Sequence, residues 1–498
     1  SVQSAGLVQQ SMAVLFSVPP ENVRVICPFV GGGFGSKGYA WPHLYLAAGA
    51  ARCSGRPVKL VMTRAQMFSL SGHQPATSQT VTLGATATGR LTVIRHHGVS
   101  AAARVDHYAE LTTGGATWLY ESPAIAIRNR IQEVDRPQPT PMRAPQEGPG
   151  LFALESAMDE LAAGLGMDPV ELRLINEPDV EPMSGKPFSA RSLVECIKQG
   201  AARFGWSARR DGMRDGHDLI GWGMAVASMP TFRNFSTARV RVLADGGVVV
   251  ETGMQEIGSG LPAMIQAAAA ETLGCDPSDV EVRHGDSEFP PHMGTMGSLS
   301  TLALGSAVQD AASSVLEKLQ AQPGRSLADL VAASGLDFVE SEGRWSPGDE
   351  DSRYSIRTYG AVFVEVRVDE DLGLVRVPRV VGVYSAGRII NELGAGSQMS
   401  GGIIWGIGQA LLEKSVLEPN LGRFLSRNLA GYVLPVNADV GSIDVSFIDE
   451  EDRIASPIGA KGIGELGATG VGAAIANAVF HATGKRVRDL PIRIQDLL

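Results

Sequence analysis

The residue whose type and spacing best suit chemistry is Glu465, a lone carboxylate in the run Gly459-Ala460-Lys461-Gly462-Ile463-Gly464-Glu465-Leu466-Gly467. Glycine lets a backbone approach a ligand closely and accept positive φ, so a carboxylate framed by glycines is a candidate buried general base. A second glycine-rich loop, Pro28-Phe29-Val30-Gly31-Gly32-Gly33-Phe34-Gly35-Ser36-Lys37, lies near the other end of the chain. Between them Arg143 stands in Arg136-Pro137-Gln138-Pro139-Thr140-Pro141-Met142-Arg143-Ala144-Pro145. Such proline density forbids helix or central strand, and a stiff loop would present one guanidinium to an oxygen of a polarised substrate. Three more glycine- and hydroxyl-rich loops, at 253–260, 294–301 and 394–398, each precede a helical pattern. Helix amino termini carry unpaired N–H groups and are ready anion sites. So many in one chain suit a large anionic ligand with several phosphates.

Each piece also has a simpler reading. Gly462-x-Gly464-x-x-Gly467 formally matches the dinucleotide fingerprint, but no buried strand precedes it. The first loop lacks the Gly-Lys pair of a P-loop. Alone, either loop is a tight turn, and Arg143 is a surface salt bridge. His43, His73, His96, His97, His107, His284 and His292 fall in no ligand spacing, which argues against a protein-ligated metal. No nucleophile-elbow sequence supports Ser-His-Asp hydrolysis.

The elements that must carry these loops are legible in outline. A β-branched stretch at 22–30 predicts a strand feeding the first glycine loop. Helices are predicted at 41–53, 150–165 and 168–176, the last opened by Asp168-Pro169. Hairpins are predicted over 79–103, at 237–253 around Asp245-Gly246-Gly247, and at 361–384 around Asp371-Leu372-Gly373. Further helices fit 261–273, 399–414 and 471–482, and the acidic run Asp349-Glu350-Asp351 reads as a solvated loop. This is an α+β pattern of antiparallel hairpins and helices, with a composition shift at 181–190 as the domain boundary.

Composition narrows the function. At 498 residues the chain has room for about three domains of roughly 150 residues each. A net charge of −10 argues against a phosphate-backbone binder, whose footprint would be basic. No apolar run approaches the roughly 18 residues of a spanning helix. The first residues show neither a positive cluster nor an apolar segment, so they do not read as a signal peptide, and no methionine leads them. Cys27, Cys53, Cys196 and Cys275 lack C-x-x-C spacing and read as small buried hydrophobes, so any electron-transfer centre belongs to another polypeptide.

Taken in order, these motifs resemble the molybdenum-binding subunit of the xanthine oxidase family of molybdenum hydroxylases, over nearly the whole chain. The resemblance rests on the 31–37 loop, Pro141-Met142-Arg143-Ala144-Pro145, Gly258-Ser259-Gly260, Gly297-Ser298-Leu299-Ser300-Thr301, Gln398 and Gly462-Ile463-Gly464-Glu465. The most similar branch is the bacterial aldehyde oxidoreductases that carry molybdopterin cytosine dinucleotide. It implies two elongated molybdopterin-binding domains of mixed sheets and helices, 1–185 and 186–498, with the cofactor at their interface. Carried over by motif, Glu465 is the catalytic base and Arg143 orients substrate. Gln3, Gly33, Phe34 and Gly35 stand by the metal. Gly258, Ser259, Ser300, Thr301 and Gln398 touch the pterin or its nucleotide, with Lys461, Gly462 and Gly464 in the base's loop.

The implied reaction is oxidation of an aldehyde to a carboxylic acid with water-derived oxygen. Hydroxylation of an N-heterocycle such as nicotinate or isoquinoline, and a non-catalytic cofactor-binding role, are the alternatives. Implied partners are an iron–sulfur subunit, an FAD subunit, and a chain supplying the amino-terminal region that family members carry before Gln3. Gly38 stands where purine-hydroxylating members have an acid, and no cysteine flanks Arg143 as in carbon monoxide dehydrogenases. The compartment is open between cytoplasm and periplasm, since a partner's signal could export the complex.

Overall fold

The central element is a five-stranded sheet whose middle strand, Arg357–Asp369, is buried over 358–364 and sets Val362, Val364, Val366 and Val368 on one face. A computed structural model describes residues 1–105 and 108–498; His107 lies outside the described residues. Asp218–Pro230 and Val375–Ser385 flank the middle strand, both antiparallel, and Val440–Phe447 adds in parallel at one edge. Because strand side chains alternate between faces, Val362, Val364 and Val366 pack with helices Glu392–Leu411 and Val471–Thr483. Tyr359, Ala361 and Phe363 pack with Glu147–Leu165 and Leu193–Phe204 on the other face. The contact is close at Gly223, where a Cβ would lie 2.3 Å from Ala474 O.

A four-stranded sheet, ordered Val280–His284, Val248–Thr252, Ser236–Leu243 and Phe338–Trp345, packs with Leu261–Leu273, Gly305–Lys318 and Leu327–Ser334 to form a second core. Thr77–Ala85, Leu91–Ala103 and Ile125–Val134 make a third, three-stranded sheet. The molecule is α+β with mixed sheets. Among the described residues no helix is long and apolar enough to cross a membrane.

The three hairpins and the helices Pro42–Ser54, Glu147–Leu165 and Pro169–Ile175 fall where sequence periodicity places them. The Asp168 side chain accepts the Val170 N–H at 2.7 Å, as an N-cap should. Residues 136–142 lie outside helix and strand. Four expectations are corrected. The 22–30 stretch is no strand: Pro20–Asn22 is a 3-10 turn, and Ile26 and Phe29 make isolated bridges to Asp286 and Glu256. It runs beside another loop instead of joining a sheet. The helix expected at 399–414 spans Glu392–Leu411 and absorbs the 394–398 loop. Asn391 caps it through the Gly394 N–H at 2.9 Å. Its glycines let it lie against a neighbour, since a Cβ on Gly402 would sit 2.4 Å from Gly467 C. The acidic run at 349–351 leads into a short helix, Glu350–Arg353, and its carboxylates pair with the guanidinium of Arg233. Cys53 is exposed, whereas Cys27 and Cys196 are buried and Cys275 is intermediate.

One buried ion pair fastens helices to the central sheet. Glu155 accepts Arg173 Nε at 2.8 Å with both side chains fully buried. The same carboxylate accepts the Val226 N–H at 2.6 Å and the Tyr120 hydroxyl. Removing one member of such a pair leaves the other charge buried without a partner, at about 3–5 kcal/mol. Glu155→Ala should therefore lower the unfolding free energy by that order or leave no soluble protein, as followed by urea unfolding.

Candidate active site

The two glycine loops and the Arg143 loop meet at a cavity of about 1090 Å³, at the upper end of ligand pockets. Its walls come from both ends of the chain. Gln3, Gly33, Phe34, Gly35 and Arg143 contribute from the amino-terminal third, with Gly258, Ser259, Ser300 and Thr301 from the middle. Gln398, Gly464 and Glu465 complete it. Arg143 bonds directly to Phe34, to Gly464 next to Glu465, and to Gln398. The Arg143 N–H donates to Phe34 O at 2.8 Å. Arg143 Nε donates to Gly464 O and Nη2 to Gln398 O, each at 2.8 Å. Arg143 is thus a buried clamp between loops, not a surface salt bridge. Burial pulls its pKa down to about 10, opposed by Glu465 and Tyr384, so it stays cationic at neutral pH.

Glu465 Oε2 accepts the Ser298 hydroxyl at 2.7 Å, and the Ala144 N–H bonds the same carboxyl. Burial raises its pKa above the glutamate range, against these two donors and the Arg143 charge. The residue is packed deeply among protein atoms yet keeps intermediate exposure, as a cavity wall requires. Phe34, Ala144, Gln146 and Ser298, four of the six non-glycine residues with positive φ among those described, surround this point. Such backbone costs about 1–3 kcal/mol each and gathers where structure is imposed for function.

The remaining loops fit a large ligand by shape. Gly35 (φ 106°) has no room for a Cβ, which would sit 2.0 Å from Pro141 O. Gly258 and Gly260 have positive φ and nothing within 4 Å of a Cβ. Ser300 and Thr301 open a π-helical turn, Ser300–Leu304, ahead of Gly305–Lys318; such turns recur at functional sites. Gln3 lines the cavity and also joins loops, its Nε2 donating to Thr295 O at 2.8 Å and its Oε1 accepting the Gly35 N–H at 3.0 Å. One Nε2 hydrogen remains for a ligand. Lys461 also lines the cavity, and the loop of Glu465 is fastened at two points. The Lys461 ammonium is buried 3.2 Å from Glu450 Oε1, and Gly462 backs onto Ser298.

Glu256 was not marked by its sequence setting. Its carboxylate accepts the N–H groups of Gly258, Ser259 and Leu261. The amides that begin Leu261–Leu273 are therefore filled from within, and that helix shapes the cavity instead of offering an empty anion site. The Glu256 backbone also pairs with Pro28 O and the Val30 N–H, both at 2.9 Å. Its position two residues before Gly258, as an acid ahead of a helix start, is the signal that was available. Trp405, whose ring lies 5.3 Å from that of Phe34, gave none. Nor did Tyr108, Glu110 and Glu147 at the cavity's flank. Burial lifts Glu110 and Glu147 to about 8 each. Among the described residues no three His, Cys, Asp or Glu side chains could hold a metal ion.

Residues 1–177 and 199–441 each match a family described as molybdopterin cofactor-binding domain. The chain is 39% identical to the aldehyde oxidoreductase molybdenum-binding subunit PaoC of Escherichia coli (strain K12), over 98% of this chain and 69% of that protein. It is 29% identical to the putative xanthine dehydrogenase molybdenum-binding subunit XdhA of the same organism, covering 99% and 71%. The fold matches quinoline 2-oxidoreductase from Pseudomonas putida 86 with a TM-score of 0.92 at 21% identity, over 100% of this chain and 71% of that one. It matches the aldehyde oxidoreductase from Desulfovibrio desulfuricans with a TM-score of 0.88 at 25% identity, over 100% and 56%. Fold and cavity together define a molybdopterin-binding chain. It belongs to the xanthine oxidase family of molybdenum hydroxylases.

Two measurements check this geometry. Glu256→Ala should release the 258–261 amides and lower molybdenum per purified chain several-fold, with the circular dichroism spectrum retained. Glu110 titrates near 4.3 when unfolded and about 8 when folded. Between those values the unfolded chain loses a proton that the folded chain keeps, so stability falls as pH rises. Glu110→Gln should raise the melting temperature of the cofactor-free chain at pH 8.5 and leave it unchanged at pH 4.

Proposed function

We propose that this chain is the catalytic, molybdenum-cofactor-binding part of an oxidoreductase that converts aldehydes to carboxylic acids. Sequence kinship to an aldehyde oxidoreductase subunit supports the substrate class. The substrate end of the cavity agrees: Phe34, Trp405, Met142 and Leu434 make an apolar wall. Gly38, also on the cavity, offers no carboxylate to bond a purine. The halves 1–185 and 186–498 are read as the two cofactor-binding domains, since both contribute walls. The cytosine dinucleotide form of the cofactor is proposed for the room between the 258–260 and 300–301 loops.

When bound, the cofactor supplies a water-derived oxygen and accepts two electrons. Overall, an aldehyde and water give a carboxylic acid, two protons and two electrons. The electrons leave for iron–sulfur centres on a partner subunit, with an FAD subunit as the next acceptor. Glu465 takes the proton of the attacking oxygen. Its raised pKa makes it a stronger base than an ordinary glutamate, while Ser298 and the Ala144 N–H aim it. Arg143 fixes the Glu465 loop through Gly464 O, and its Nη1, which makes no hydrogen bond among the described residues, is left for a substrate oxygen. The single observation that carries this reading is the carboxyl of Glu465, buried and twice hydrogen-bonded, on the same cavity as Phe34 and Arg143.

General-base catalysis contributes about 10²–10⁴-fold. Glu465→Gln should lower benzaldehyde-dependent dye reduction by at least about 10²-fold while molybdenum content holds. Near-parental activity would remove Glu465 as the base. For the parent, kcat/KM should rise with pH along an acid limb above the ordinary glutamate pKa, because the base must be ionised. A panel setting benzaldehyde against nicotinate and isoquinoline decides the substrate class, and preference for a heterocycle would overturn the aldehyde reading.

A further inference from the structure

We propose that Tyr432 and Glu413 are positioning residues for the substrate. Their hydrogen bond latches residues 428–436 against the end of Glu392–Leu411, and so fixes the wall that the body of a bulky aldehyde meets. The proposal deepens the aldehyde reading of the same cavity and rests on it.

Glu392–Leu411 runs along the cavity and gives Gln398, Gly401, Ile404 and Trp405 to its lining. The helix ends in a tight reversal, where the N–H groups of Leu412 and Glu413 both return to Gly408 O, at 2.9 and 2.8 Å. The Glu413 side chain folds back over this end. A Cβ on Gly408 would collide with Glu413 Oε1 and lie 2.9 Å from Pro435 Cγ. Glycine here makes room for a carboxyl and a proline ring together. Glu413 Oε2 accepts the Tyr432 hydroxyl at 2.7 Å. Burial lifts the pKa of both groups, and a bond withdrawn from water is costly to leave unmade.

Little else holds the strap. No helix or strand covers 428–436, and Leu429, Val433 and Leu434 are exposed. Asn428 Oδ1 accepts the N–H groups of Ala430 and Gly431, and the Tyr432 N–H returns to Asn428 O at 2.9 Å. Among the described residues, the hydrogen bonds of 429–435 are these local ones and the Tyr432 hydroxyl. The Tyr432 ring also meets the edge of Phe68 at 5.8 Å. Leu434 and Pro435 nonetheless line the cavity, together with Glu413. A segment with so few contacts of its own opens readily, so the place of this wall depends on its anchor. The wall would touch the part of an aldehyde that does not react. Loosening it should therefore weaken ground state and transition state alike, which raises KM at constant kcat. An aldehyde too short to reach the wall should be indifferent.

The test uses the molybdenum-loaded protein with its partner subunits and a dye acceptor, and compares naphthaldehyde with propanal. Tyr432→Phe removes one oxygen. It should raise KM for naphthaldehyde about tenfold, within the range that apolar pocket contacts supply, and leave its kcat and both propanal constants within about twofold of the parent. Gly408→Ala displaces Glu413 from the other side and should act the same way. A second readout needs no turnover: trypsin should cut after the exposed Arg423 and Arg427 several-fold faster in either variant. Where the parent turns over, the kinetics decide. An unchanged naphthaldehyde KM in Tyr432→Phe, or an equal rise for both aldehydes, would overturn the latch. If the parent oxidises neither aldehyde, the aldehyde reading fails by itself. The trypsin arm then decides the latch, which an unchanged cleavage rate would end.

Discussion

The guanidinium of Arg143 is the point on which the site depends. Two of its nitrogens donate to carbonyls of Gly464 and Gln398, residues more than 250 positions away in the chain, while its own N–H holds Phe34 O. A planar fork with fixed donors fits this task, and a flexible ammonium would not. Burial makes the arrangement firm, because losing either carbonyl would leave a buried charged donor without its acceptor. Three stretches that share no secondary structure are thereby kept in register around one cavity.

The fold supplies what the clamp needs. The helices Glu392–Leu411 and Val471–Thr483 lie on one face of the five-stranded sheet, and Gly402 and Gly223 let backbones touch there. This fixes the carbonyl of Gln398 and brings the 459–467 loop to the same end of the sheet. On the opposite face the Glu155–Arg173 pair anchors Glu147–Leu165, whose first residues follow the Arg143 turn. Rigid elements on both sheet faces thus end at the cavity, and positive-φ residues occur where they do.

The cavity wall carries Arg143, Arg233, Arg388 and Lys461 beside Glu413 and Glu465. Burial lifts the Glu465 carboxyl, and the charge of Arg143 opposes that lift. The amides before Leu261–Leu273, which might have faced an anion, are instead filled by Glu256. What that loop offers the cavity is the open space beside Gly258 and Gly260.

Sequence alone determined the local elements and the chemical vocabulary. Apolar alternation set the hairpins, Asp168-Pro169 set a helix start, and glycines around Glu465 marked a carboxylate that could be buried. These depend on neighbours within a turn or two, so they are legible in a string. The 22–30 stretch and the start of Glu392–Leu411 were misread because loop-to-loop pairing and close helix contacts override local preference there. Only the tertiary structure decided that Arg143 clamps instead of facing solvent and that Lys461 turns to Glu450. It also decided that the Ser298 hydroxyl meets the Glu465 carboxyl, and that Tyr108 lines the same cavity. Those relations join residues far apart in the chain, and burial and hydrogen-bond direction exist only once the sheets have packed.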